Sequence, residues 1–187
     1  MPNEEELRAA LAGRLSGDEA RRLARDTDPA LLAAVMLDAA ESRAADNAAW
    51  TLTHLPRPAD GWLSARQTDF IDLAMRAAGT TRRRLALTLL LRTDFGPTYW
   101  DSPDEADARR KSAFLDFCLA AMASPSEPPG VQAAAIKLAG LQCRHYPELA
   151  DELRRTLQLT ADTPLTPATR CARRHVLAAL GRRAQEI

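Results

Sequence analysis

The apolar residues of this chain are almost all of one kind. Its 187 residues include 37 Ala and 27 Leu but only three Val and three Ile. Alanine and leucine lose little freedom in a helix, whereas the branched residues that pack well on a pleated sheet are the ones missing. The bias leaves little material for a sheet and predicts an all-α fold. One stretch, Leu85-Ala86-Leu87-Thr88-Leu89, alternates as a strand does. It follows Thr81-Arg82-Arg83-Arg84 and runs on into Leu90-Leu91, so it reads as a buried helix, apolar on almost every side.

Periodicity places the other helices. Phe114, Phe117, Cys118, Ala121 and Met122 recur at i, i+3, i+4, i+7 and i+8, a stripe along a helix of roughly 20 residues that starts near Pro103. Ahead of it, Ser102 is placed to act as N-cap, with Pro103 and Glu105 at the first and third helical positions. Asp28-Pro29, Thr166-Pro167 and Ser64 offer further starts, and Ser16 with Glu19 makes a capping box. Val131, Ala134, Ala135, Leu138, Leu141 and Gln142 form a second stripe ending near Tyr146-Pro147, and Leu149, Leu153 and Leu157 a shorter third. Gly79 is expected to end a helix that begins near Ala65, as the residue just past its C-cap.

About ten helices result, falling into couples joined by tight turns. The second member looks alike in each couple: Asn47 to Leu55, Arg82 to Leu91, Val131 to Leu141, and Cys171 to Leu180. Their spacing, very roughly 35 to 50 residues, is that of helical-pair repeats. The expectation is one domain over residues 1–187, with residues 1–28 as N-terminal capping helices and the Leu85 helix in a central layer. An irregular helical bundle is the alternative.

Several stretches carry a resemblance. They are Ala48-Ala49-Trp50, Thr81-Arg82-Arg83-Arg84-Leu85, Leu115-Asp116-Phe117-Cys118-Leu119, and Pro125 through Ala135 with Tyr146-Pro147-Glu148-Leu149. Together they resemble a family of small bacterial HEAT-repeat-like proteins of ARM-type fold, from about residue 30 to the C-terminus. The resemblance implies an α-α superhelix, a short HEAT-like solenoid of paired antiparallel helices. No functional residue comes with it.

Charge and composition narrow the function classes. With 46% hydrophobic and 27% charged residues, the chain has the balance of a folded protein. Its 25 basic residues offset 25 acidic ones, so net charge gives no support for attraction to nucleic acid or an anionic membrane. The acidic start, Met1 to Glu6, lacks the layout of a signal peptide, and the longest apolar run, Ala30 to Leu37, is far short of the roughly 20 residues that span a bilayer. A cytoplasmic protein with no membrane partner is expected. Cys118, Cys143 and Cys171 are odd in number and far apart, which fits packed, reduced thiols rather than a disulfide framework.

No catalytic constellation emerges. Cys171 and His175 lie one helical turn apart and can point the same way, but two ligands do not hold zinc, and Cys143 and His145 point apart on a helix. Asp101, Asp104, Glu105 and Asp107 sit at a helix start, where the dipole already favours them. Phosphate loops, nucleophile elbows and zinc-protease helices are absent from the sequence. No cofactor or metal is expected.

Arginine runs do recur, at Arg21-Arg22, Arg82-Arg83-Arg84, Arg109-Arg110-Lys111, Arg154-Arg155, Arg173-Arg174 and Arg182-Arg183. Projection of the second helices puts Asn47, Thr51, His54, Arg83, Lys137, Arg144 and Arg174 opposite the core, as a mildly basic strip. Trp50 lies off its helix's main stripe, while Trp62 and Trp100 fall in linkers and suit gap-filling between helices. The reading is a non-catalytic module that binds a protein or peptide along that strip. Its alternative is nucleic-acid binding or base repair through a basic groove, which the balanced charge disfavours.

Overall fold

A computed structural model describes residues 4–38, 42–159 and 166–183, except for the side chains of Arg182 and Arg183. The described residues form eleven α-helices and no strand. The chain divides into two compact units, Met1–Thr93 and Asp94–Ile187.

The first unit contains α1 (Glu4–Ala12), α2 (Gly17–Asp26), α3 (Pro29–Leu37), α4 (Arg43–Thr53), a short 3-10 turn, α5 (Asp60–Ala65), α6 (Gln67–Arg76) and α7 (Thr80–Leu90). Its hub is α4, which packs against α1, α2, α3 and α7. Sequence explains how one helix meets four others. Ala44, Ala45, Ala48 and Ala49 are buried, and their small side chains let neighbouring backbones approach from several sides at no side-chain entropy cost. Leu52 and Thr51 close the same core.

The leucine-rich α7 packs on α6 and α4, burying Leu85, Ala86, Leu87, Leu89 and Leu90. It is not apolar all round, because Arg84 is exposed and Arg82 is drawn into the interior. Within this unit α4 is the most widely packed helix, since its short alanine side chains let four neighbours approach, while α7 meets α4, α5 and α6.

The second unit holds α8 (Glu105–Ala123), α9 (Pro129–Cys143), α10 (Pro147–Leu159) and α11 (Pro167–Arg183). Here α9 is the hub, packed on α8, α10 and α11, with nine of its fifteen residues buried. One glycine sets how close α9 and α11 come. A Cβ built on Gly140 would lie 2.8 Å from Val176 Cγ1 and 3.0 Å from Cγ2, so the contact requires a bare Cα.

Ahead of α8, the irregular segment packs by its aromatics. Phe95 meets Tyr99 at 4.9 Å between centroids, Tyr99 meets Trp100 at 5.2 Å, and Trp100 meets Tyr146 at 6.3 Å. Trp100 Nε1 donates to the carbonyl of Gln142 at 2.9 Å, and the Tyr146 hydroxyl donates to that of Pro97 at 2.6 Å. Trp100 is therefore the gap-filler its place in the sequence suggests.

Several helix starts are where the capping residues put them. Ser16 and Glu19 form the reciprocal box, Asp28 accepts from Ala30 N ahead of Pro29, and Thr166 accepts from Thr169 N ahead of Pro167. Five details differ. The cap of α8 is Asp104, accepting from Ala106 N at 3.0 Å, and Ser102 accepts from Asp104 N in the turn before it. Ser64 lies inside α5, the N-cap residue of α6 is Arg66, and Trp62 belongs to α5 rather than to a linker. Gly79 has φ −75° and ψ 126° and opens α7 as its N-cap, while the helix before it ends at Arg76. On α10 the buried stripe is Ala150, Leu153 and Leu157, with Leu149 exposed at 36%.

Replacing Gly140 tests the hub contact. Val176 is stiff at χ1 in a helix and cannot swing away cheaply. Gly140→Ala is expected to destabilise by about 1 to 3 kcal/mol in urea unfolding, with Val176→Ala recovering much of the loss. Gly61→Ala in α5, where an added Cβ meets nothing within 4 Å, should be neutral or stabilising by up to about 1 kcal/mol.

Candidate interaction surface

Many of the arginines bind the protein's own backbone. Buried Arg82 donates from Nε to Asp46 at 3.2 Å and from its two Nη groups to the carbonyls of Asp38 and Ser42, both at 3.3 Å. Arg92 grips Asp60 and also donates to the carbonyls of Thr53 and Pro56. Arg76 reaches Leu37 O, Arg83 reaches Ala77 O, Arg144 reaches Phe95 O and Arg154 reaches Leu180 O. Each of these carbonyls lies in or near the last turn of a helix or in a connecting segment. Helix C-termini leave carbonyls without an intrahelical donor, and a planar guanidinium can serve several acceptors from one position.

The seven residues of the projected strip separate accordingly. In the first unit, Asn47 donates to the carbonyls of Leu11 at 2.7 Å and Gly13 at 2.9 Å, closing the end of α1. Thr51 is fully buried with its hydroxyl unpartnered, so it offers nothing to a ligand. The helical projection failed there because it assigns one outer face, and α4 has neighbours on nearly all sides.

His54 caps the end of α4, edge-on to Trp50 at 5.5 Å between ring centroids, with Nε2 buried and unpartnered. Burial, with a smaller effect of nearby Arg21, holds its pKa below the usual value of 6.5. Arg83 is half-buried, on the carbonyl of Ala77. In the second unit Arg144 is likewise turned inward, whereas Lys137 and Arg174 are exposed.

Arg174 belongs to a different feature. Pro167, Arg170, Cys171, Arg173, Arg174 and Leu177 line an open groove of about 580 Å³ along α11. Arg170 and Arg174 are exposed, and none of the three arginine side chains has an ion pair or hydrogen-bond partner among the described residues. The Nε of Arg173 is out of solvent and unsatisfied. No carboxylate is among these lining residues. Sequence projection found only Arg174. Arg170 was legible as its i−4 neighbour, but nothing in the sequence tells an unpaired arginine from a clamping one.

The other chemical candidates resolve into structure. Cys118 and Cys143 are buried, and burial pushes the Cys143 thiol up to about 12, leaving no thiolate near neutral pH. Cys171 is exposed, contrary to the packing expected of all three, with Sγ 4.0 Å from His175 Nδ1. Among the described residues no three His, Cys, Asp or Glu side chains gather as metal ligands would. In the acidic cluster Asp104 caps α8, Glu105 pairs with Arg109, and Asp107 pairs with Lys111 at 2.7 Å.

Antiparallel helix pairs in succession, α3 with α4, α6 with α7, α8 with α9 and α10 with α11, define an all-α helical-repeat protein of the α-α superhelix class. The model of the HEAT repeat domain family matches residues 7–180, and the chain belongs to that family. The match takes in the N-terminal helices, outside the stretch from which the resemblance was read. No curated protein and no solved structure matches the chain. HEAT repeats generally serve as protein-interaction scaffolds. No described helix is long and apolar enough to cross a membrane.

Two pH effects follow from the clamps. Arg92 hydrogen bonding holds the Asp60 carboxyl below its usual 3.8, so its stabilisation is complete above that pH and fades as pH falls through the folded-state value. Asp60→Asn should unfold at lower urea than wild type at pH 7, with the gap closing near pH 3. His54 acts in the opposite chemical sense: the fold prefers its neutral ring, so the unfolded chain gains a proton first as pH drops below about 6.5. The urea midpoint should decline between pH 7.5 and pH 5.5, and His54→Gln should flatten that decline.

Proposed function

We propose that this protein is a non-catalytic interaction module that binds a protein or peptide through the exposed face of its last described helix, α11. One observation carries the reading: Arg170, Arg173 and Arg174 line a groove without partners among the described residues, although arginines in both units are held on backbone carbonyls or carboxylates. Guanidinium groups held at a groove with no carboxylate in its lining suit an anionic contact supplied from outside. Family membership points the same way, since the helix faces of such repeats form extended binding surfaces.

The groove is shallow, and apart from Cys171 its lining holds neither an acid nor a base of a catalytic pocket, which supports binding over bond-making. The balanced net charge, 25 basic against 25 acidic residues, bears against the nucleic-acid alternative.

A photo-crosslinking residue at position 174 tests the reading in living cells. A discrete adduct of protein mass that resists nuclease, absent when the same residue replaces Asp116 on the exposed side of α8, is the expected result. A nuclease-sensitive adduct, or none at position 174, would sink it.

A further inference from the structure

The α11 groove has enough detail to specify what kind of segment fills it. Arg170 and Arg174 are four residues apart on one helix, about 6 Å along its axis at a rise of roughly 1.5 Å per residue, with Arg173 beside them. Pro167 and Leu177 line the groove on either side of the arginines, and α11 is capped and starts at Pro167. Along α11 the order is Pro167, then three arginines with Cys171 among them, then Leu177.

An occupant that satisfies this order carries carboxylates at the same interval of about 6 Å, the separation of residues i and i+4 on a helix. It also carries an apolar residue about one turn beyond them, to cover Leu177. Carboxylates match the arginine fork and can take two parallel hydrogen bonds from each guanidinium.

We infer that the partner docks on α11 as an acidic amphipathic helix, its Glu or Asp pair on Arg170 and Arg174 and an apolar side chain against Leu177. The inference rests on the interaction-module reading, and it names the chemistry of the partner.

Fluorescence anisotropy with a labelled 15-residue helical peptide tests it, the peptide bearing a Glu pair at i and i+4 and a Leu one turn on. The whole protein should bind this peptide at about 50 mM salt and release it as salt rises, because exposed charges are screened. R170E/R174E should weaken binding by about tenfold or more, and Leu177→Ser should weaken it without changing the salt dependence. Both variants alter groove-lining side chains, and circular dichroism melting should match wild type, showing that the fold is retained.

Absence of peptide binding by the wild type overturns the inference, as does binding by R170E/R174E within about twofold of wild type. Displacement of the peptide by a single-stranded oligonucleotide of equal charge at equal concentration also overturns it, because the site would then select phosphate. Failure here with a nuclease-resistant protein adduct still formed at position 174 leaves the interaction module standing and removes only its acidic partner. Loss of that adduct removes both.

Discussion

Each unit depends on one alanine-rich helix that several others cover. In the first it is α4, enclosed by α1, α2, α3 and α7, and in the second α9, enclosed by α8, α10 and α11. Burial of apolar surface drives this packing, but shape limits it. A helix can be covered on several sides only if its side chains are short, and buried alanines on α4 and the Gly140 contact on α9 supply that condition. Leucines on the surrounding helices then fill the space between layers. The scarcity of Val and Ile fits the same demand, since most of the described core is built from helix faces.

Packing short helices closely creates a second problem at their ends. Each C-terminus leaves carbonyls unsatisfied, and short helices have many ends relative to their length. Arginine answers this repeatedly, reaching across from another element onto those carbonyls, as Arg82, Arg92 and Arg154 do, and Arg144 holds the connecting segment at Phe95 in the same way. Much of the recurring arginine pattern therefore has a structural origin. The three arginines of the α11 groove are not engaged in this way, and they line one groove together with no carboxylate among its lining residues.

Local chemistry was the most legible part of the fold. The Ser16 box, Asp28-Pro29 and Thr166-Pro167 are short-range hydrogen-bond patterns, and each folded as its residues specify. Misreadings occurred where two local solutions competed. Ser102 and Asp104 can both cap α8, and the carboxylate took the helix. Gly79 can end one helix or begin the next, and with extended dihedrals it begins α7. Leu149 fits the i, i+4 stripe of α10, yet Ala150 is the residue that faces the core. In each case the deciding factor was a neighbour remote in sequence or a small difference in local energy.

The sequence by itself determined that the chain is all helix, where most helices lie, and that they couple in pairs, because composition, periodicity and capping act within a few residues. It also displayed every arginine. Only the tertiary structure decided which helices became hubs, that Thr51 would be buried, and which arginines would close the fold and which would be left facing a groove. Those outcomes depend on which carbonyls and side chains are brought within hydrogen-bond reach by packing between distant segments, a relation that spacing along the chain does not contain.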